Sequence, residues 1–309
     1  MSKFIISLDF ELKWGVLEFD EKYEKNLLNA RQVIPKILNL FKEYKIKATW
    51  ATVGLLFNST KEEYYKFKPL FEPTYKVDAL NPYKENIGES EEFDKIHYGA
   101  SLIKMIYECP GQEIGSHTYS HYNCKDNFQT QNEFESDIKS AIEVASEKFN
   151  MNMASFVFPK NEINEGYLDI IKKYNFTHYR GNPDNFIYSK GHNSKNILFR
   201  MIRLLDSYFN ITGHQVSSVV NNHFLVNVVG NRMFRPYNRY KLLNKLMLNR
   251  IKNEMIYAAK NNKNYHLWWH PHNFGSNTDE NLKNLEDVLK KYRYLQEKYE
   301  MGSVCMSEI

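Results

Sequence analysis

Phe4-Ile5-Ile6-Ser7-Leu8-Asp9-Phe10-Glu11 opens the chain with a short apolar run that ends in two acids. A run of this length reads as a buried strand. In an extended chain alternate side chains share a face, so Asp9 and Glu11 point the same way and both carboxylates can enter one cavity. The rhythm returns along the sequence. Short apolar runs at residues 48–52, 113–115, 155–158, 177–179, 265–269 and 302–305 alternate with longer amphipathic stretches, the pattern of parallel strands and covering helices. Ile34, Ile37, Leu38 and Phe41 mark one helix, with Pro35 at a first turn or a kink. Phe134, Ile138, Ala141, Ile142 and Ala145 mark a second, opened by a Thr130–Glu133 capping box. Leu282, Leu285, Val288 and Leu289 mark a third, with Asp279 as its cap. Seven strands separated by helices predict an α/β fold. A closed or nearly closed βα barrel fits better than the doubly wound sheet, which stays open as the alternative.

The 309 residues suit one barrel domain spanning 1–309. Two segments break the rhythm and read as insertions: residues 60–98, rich in Tyr, Lys and Pro, and residues 185–262, with a hairpin at 219–229 and a basic helix at 239–250. The net charge of +4 is small beside 41 basic and 37 acidic residues, and it is not gathered in a tail. Nucleic acid is therefore not an expected partner. Three cysteines without a CxxC pair suit a reducing compartment. The first apolar run is too short for a signal peptide, and no segment is long enough to span a bilayer, so a cytoplasmic protein is expected.

Polar residues gather where the strands end, which is where βα loops build sites. The third strand feeds Gly115-Ser116-His117-Thr118-Tyr119-Ser120-His121. Side chains four apart share one face of a helical turn, so both imidazoles can reach one cation. The fourth strand leads into Pro159-Lys160-Asn161, the fifth into His178-Tyr179-Arg180 and on to Asp184, and the sixth into Trp268-Trp269-His270-Pro271-His272. Two histidines and one carboxylate on a divalent ion leave positions for water and a substrate carbonyl. A second carboxylate can take the water proton and a separate histidine can protonate the leaving group. These are the parts of a metal-assisted amide or ester hydrolysis. No Gly-rich phosphate loop or nucleophile elbow competes with them.

With these motifs in order, most of the chain resembles the polysaccharide deacetylase family, the family 4 carbohydrate esterases. The anchors are Ser7-Leu8-Asp9-Phe10-Glu11, Gly115-Ser116-His117-Thr118-Tyr119-Ser120-His121 and Trp268-Trp269-His270-Pro271. The resemblance implies a distorted (β/α)7-type barrel, a zinc-like divalent ion held by Asp, His and His, and removal of an acetyl group from a sugar. It makes His117 and His121 metal ligands and His270 the general acid. Most members have two adjacent Asp residues, base then ligand, where this chain has Asp9-Phe10-Glu11. Asp9 is assigned to the metal and Glu11 to the base, with the reverse order open.

Most members also have an Arg where Val157 stands, and Lys160 or Arg180 can supply the missing charge. Asn161 is expected to aim a backbone N–H at the oxyanion. Asp184 is expected to orient His270 or Arg180, a turn role beside Pro183 being the alternative. Trp14 and Trp269 are expected to stack on a sugar ring. The departures resemble the branch of the family tied to surface-polysaccharide and O-antigen assembly. That branch implies an N-acetylated sugar linked to a nucleotide or a lipid, with Arg232, Arg235, Arg239, Lys241 and Lys245 meeting a diphosphate or, as a peripheral contact, an anionic bilayer surface. Two other readings stay open: a catalytically silent glycan-binding or scaffolding relative, and an amidohydrolase-like enzyme using His270 and His272 as its metal pair.

Overall fold

Alternation along the first strand sets the architecture. In β1 (Lys3–Phe10) Phe4, Ile6, Leu8 and Phe10 join the main core, whereas Ile5 belongs to a small separate cluster with Ala51, Val157, Val228, Val304 and Met306. Ser7 and Asp9 share the face of Ile5, because side chains alternate along a strand. One side of the sheet therefore packs on helices while the other encloses a narrow interior in which this small apolar cluster lies beside polar groups. The structure is a computed structural model and describes all residues except 17–20, 78–79, 127, 186, 189–196 and 223–224.

After β1 come α1 (Glu21–Tyr44), β2 (Ala48–Thr52), α2 (Lys61–Lys66), α3 (Ala100–Tyr107), β3 (Gln112–Ser116), α4 (Gln131–Phe149), β4 (Ser155–Phe156), α5 (Leu168–Lys173) and β5 (His178–Tyr179). There follow α6 (Ile197–Asp206), β6 (Val220–Asn222), β7 (Leu225–Asn227), β8 (Arg232–Met233), α7 (Lys241–Lys260), β9 (Tyr265–Trp269), α8 (Thr278–Tyr299) and β10 (Gly302–Val304). The strand order is β6-β7-β5-β4-β3-β2-β1-β9-β8, with β10 also on β1. Every pairing is parallel except β6 with β7. The two edges are joined by one stretch of chain. Val228 and Gly230 donate backbone N–H bonds to the carbonyls of Tyr179 and Gly181, and Asn231 and Phe234 donate to those of His266 and Trp268. The sheet thus curls on itself, as the barrel expectation requires and the doubly wound alternative does not.

All seven expected strands are present, and the 219–229 hairpin is β6 and β7, its turn at 223–224 falling outside the described residues. Parts of the expected 185–262 insertion (186, 189–196 and 223–224) also fall outside them. The Thr130–Glu133 capping box forms as expected. Pro35 lies inside α1, not at its first turn. The cap of α8 is Asn277, in a left-handed conformation (φ 48°), while Asp279 sits in the first turn, where its charge meets the positive end of the helix dipole. Arg232 is not on the surface. It is buried against Glu254 (2.6 and 2.7 Å) and Asp206 (3.2 Å), which also receive Arg250, and this network joins β8 to α6 and α7. No described helix is long and apolar enough to cross a membrane.

Within residues 60–98, Asp94 gathers the chain. Its carboxylate accepts from the N–H groups of Gly88, Ile96 and His97 and from the His97 ring at 2.8 Å. Burial alone would raise its pKa, but the bonds from His97 and Gly88 bring it down to about 2. A depressed carboxyl contributes stability that is present above the unfolded pKa near 4 and lost as the pH falls through about 2. Asp94→Asn should therefore be about 2 kcal/mol less stable than the parent at pH 6, with the gap closing toward pH 2, as read from denaturant unfolding at each pH.

Candidate metal and catalytic site

The carboxyl ends of β1, β3, β4, β5 and β9 open on one side of the barrel and bring the motifs together. Glu11, His117 and His121 are all buried, and one ligand atom from each lies within 4.8 Å of the others. His117 Nδ1 is 2.8 Å from the Val157 carbonyl, so that nitrogen carries the proton and Nε2 keeps its lone pair. This Nε2 is buried without a hydrogen-bond partner among the described residues. His121 Nε2 lies 3.2 Å from Glu11 Oε2. Burial lowers the His121 pKa, which favours the neutral, ligating imidazole. Burial alone would raise the Glu11 carboxyl, but His270, His117 and His121 hold it well below its ordinary value. Glu11 also presses on Gly15, where a Cβ would stand 2.0 Å from the carboxyl carbon. A Cβ there would push the Glu11 carboxylate out of its place.

The histidine pair does not lie on a helical turn. Residues 117–121 form a loop in which Thr118 and His121 take left-handed conformations (φ 63° and 55°). The loop is shaped by Asp137 of α4, which accepts from Tyr119 N–H (2.6 Å), Ser120 N–H (3.1 Å) and Ser120 Oγ (2.5 Å). Burial pushes Asp137 up to about 6 despite these bonds. Gly54 and Leu55 donate to the carbonyls of Thr118 and Tyr119 and fix the loop to the end of β2.

Asp9 stands apart from the ligand group. Arg180 donates to both of its oxygens, at 2.6 and 2.7 Å, and also to Ser7 Oγ at 3.0 Å and Asn161 Oδ1 at 2.8 and 3.0 Å. Burial alone would raise the Asp9 carboxyl, but the charge and hydrogen bonds of Arg180 lower it. Arg180 thus supplies the positive charge absent at Val157. Ser7 also meets His266 Nε2 at 2.7 Å, and burial drives the His266 pKa down to about 3. The His270 ring is partly exposed and faces both acids, with Nε2 3.5 Å from Glu11 Oε1 and 3.8 Å from Asp9 Oδ2.

Several expected residues fall elsewhere. The Asn161 backbone N–H donates to the Phe158 carbonyl, so it is not free for an oxyanion, and its side chain holds Arg180 instead. Lys160 is exposed in a left-handed conformation (φ 58°), and its charge is felt at His121. Asp184 is exposed and outside the network, so it orients neither Arg180 nor His270. Trp269 is fully buried between Phe41, Phe234 and Phe274. Its neighbour Trp268 faces the site, 4.5 Å from the Arg180 guanidinium and 6.0 Å from the His270 ring. Trp14 lines a cleft beside His121 and is anchored through Nε1 to the His97 carbonyl. The His272 ring lies 5.4 Å from that of His270, but its Nε2 is taken by the Tyr23 hydroxyl at 3.0 Å, burial lowers its pKa to about 4, and it stands outside the Glu11–His117–His121 group. It is no partner of His270 in a metal pair. Ser7 and Asp137 went unread, although Ser7 shares the face of Asp9 and was visible by period alone.

A family model described as polysaccharide deacetylase matches residues 11–179, more than half of the chain. The match takes in Glu11, His117 and His121 and stops just before Arg180. No curated protein matches significantly. Among solved structures, a protein of Mycobacterium smegmatis described as a polysaccharide deacetylase superposes with a TM-score of 0.61 at 12% identity, over 99% of this chain and 88% of the other. One of Pseudomonas aeruginosa PAO1 with the same description gives 0.57 at 9% identity, over 99% and 88%. The PuuE allantoinase gives 0.52 at 10% identity, over 99% and 87%. At these identities the likeness is one of fold.

The role of Asp137 in shaping the histidine loop is directly measurable. Asp137→Ala leaves three donors at a buried position and should cost about 2–4 kcal/mol of unfolding free energy. Its metal affinity should fall with it, by titration of the apoprotein.

Proposed function

The chain belongs to the polysaccharide deacetylase family, and from that premise we propose that it is a metal-dependent hydrolase removing an N-acetyl or similar acyl group from a sugar. The observation that carries the reading is the division of labour between the two acids: Glu11 faces His117 and His121, while Asp9 is held by Arg180. Glu11, His117 and His121 would hold the ion, and their oxygen and nitrogen donors suit zinc. When bound, such an ion supplies Lewis acidity toward a water and an acyl carbonyl. This makes Glu11 the ligand and Asp9 the base, the reverse of the order first assigned from the sequence.

The protein's own groups do the rest. The Arg180 fork keeps Asp9 ionised and fixed, so its carboxylate can take the proton of a water adding to the acyl carbon. His270, as imidazolium, gives its Nε2 proton to the departing amine as the C–N bond breaks, leaving the acid and the free amino sugar. The Lys160 backbone N–H follows Pro159 in a left-handed turn and makes no hydrogen bond among the described residues. It is the donor we assign to the oxyanion in place of Asn161. Trp268 offers a face for the sugar ring, and Trp14, stacked on Tyr64, lines the cleft beside His121. With Arg180 on Asp9, the missing third-motif Arg no longer favours a catalytically silent relative.

Metal content and acyl release from N-acylated sugars test the assignments together. Glu11→Ala, His117→Ala and His121→Ala should each lose the metal. Asp9→Asn and His270→Ala should keep it and lose turnover by about 10²–10⁴. Bound metal with no acid released from any N-acylated sugar would refute the hydrolase.

A further inference from the structure

Beside the site, on the far side of Trp268, lies a cavity of about 470 Å³, within the range of small-molecule sites. Its wall carries Lys125, Lys160, Arg200, Arg203, Arg232 and Arg235 against a single carboxylate, Glu162, and only Arg232 of these is matched by Glu254 and Asp206. We propose that this cavity binds a phosphate or diphosphate group, so that the sugar arrives as a phosphate-linked substrate with its acyl group at the Glu11–His117–His121 set. The placing of the acyl group rests on the deacetylase reading, whereas the anion site stands on its own residues.

Arg235 makes the strongest case. It is half-buried, burial lowers its pKa, and its Nε donates to Ser207 Oγ at 2.8 Å. It forms no ion pair with a carboxylate among the described residues. Three residues earlier, Arg232 is matched by both Glu254 and Asp206. A desolvated guanidinium without an anion is costly, and an anionic ligand would repay that cost. Arg200 and Lys160 are exposed at the rim and also lack a carboxylate partner among the described residues. Guanidinium groups bind phosphate oxygens in pairs, which a neutral glycan cannot use.

The cavity borders the reacting groups. Lys160, Asn161 and Trp268 line it, and Trp268 touches Arg180 and neighbours His270. A sugar stacked on Trp268 would have its anionic end among the arginines and its acyl end at the acids. The carrier can be a nucleotide or a lipid. The lipid source is raised by α6, which turns Arg200 and Arg203 to the cavity and leaves Ile197, Leu198, Met201 and Leu205 exposed on another face.

Calorimetric titration of the zinc-loaded protein with inorganic diphosphate, UDP-N-acetylglucosamine and neutral N,N′-diacetylchitobiose tests the site. Sedimentation with phosphatidylcholine vesicles, with and without polyprenyl-diphosphate N-acetylglucosamine, separates the sources. Phosphate-bearing ligands should bind at least about tenfold tighter than the neutral sugar, and Arg235→Ala and Arg200→Ala should each erase about tenfold of that preference. Glu162→Gln should increase it, a gain that misfolding cannot mimic. Binding of the nucleotide sugar assigns a soluble carrier, and binding only to the loaded vesicles assigns a lipid one. Equal affinity for neutral and phosphate-bearing ligands, or arginine variants that weaken both alike, overturns the proposal. Diphosphate binding by a protein that deacylates nothing keeps the anion site and sinks the hydrolase; acyl release at equal kcat/KM from neutral and phosphate-linked sugars does the converse.

Discussion

Arg180 spans the mouth of the barrel and forms a bidentate pair with Asp9, at 2.6 and 2.7 Å, where both side chains are buried. Two charges withdrawn from water do not stabilise a fold by virtue of being paired, because desolvation offsets much of their attraction. What they do is penalise every arrangement in which one lacks the other, by about 3–5 kcal/mol. The pair therefore acts as a register lock between β1 and β5. Asn161 from the loop after β4 holds the guanidinium on one flank, and Ser7, itself bonded to His266 of β9, holds it on the other. Four strands are thus tied through one planar group whose five donors have fixed directions.

That lock explains why two acids on one face of one strand end have different roles. Asp9 spends both oxygens on Arg180 and stays ionised through a fixed partner. Glu11, one residue past β1, meets imidazoles instead of a guanidinium. Unlike Asp9, Glu11 has no guanidinium or ammonium partner among the described residues. On the proposed reading, a cation among Glu11, His117 and His121 would supply the fixed positive charge that Asp9 already has. On that reading the carboxylate already paired serves as the base, and the one without a fixed cation is the ligand.

The fold was legible because its signal is periodic. Seven buried runs separated by amphipathic stretches have few solutions, and the strand-end rule then places Asp9, Glu11, His117, His121, Arg180 and His270 together. What failed was whatever depends on one residue's orientation. β9 is buried on both faces, so Trp268 and Trp269 carry no polarity contrast to say which turns inward; the answer comes from phase with His270, two residues from Trp268. The loop of His117 and His121 could not be read from spacing, because its shape is imposed by Asp137 from a helix that looks merely amphipathic. Asn277 won the cap from Asp279 through a left-handed backbone that no propensity announces.

The arginines of residues 232–250 show the same limit and what lies beyond it. As a string they form one basic cluster, equally ready to be a solvated face or an anion site. The fold sorts them by partner. Arg232 and Arg250 turn inward to Asp206 and Glu254, where the charges cancel and the helices are fastened to the sheet. Arg235 faces the cavity that Arg232 also borders, whose wall holds one carboxylate, Glu162, against five cations besides Arg232. Charge count along the sequence is the same for both. The difference is the acid facing each guanidinium, and a half-buried cation whose acid is missing is the place where a ligand's charge has most to offer.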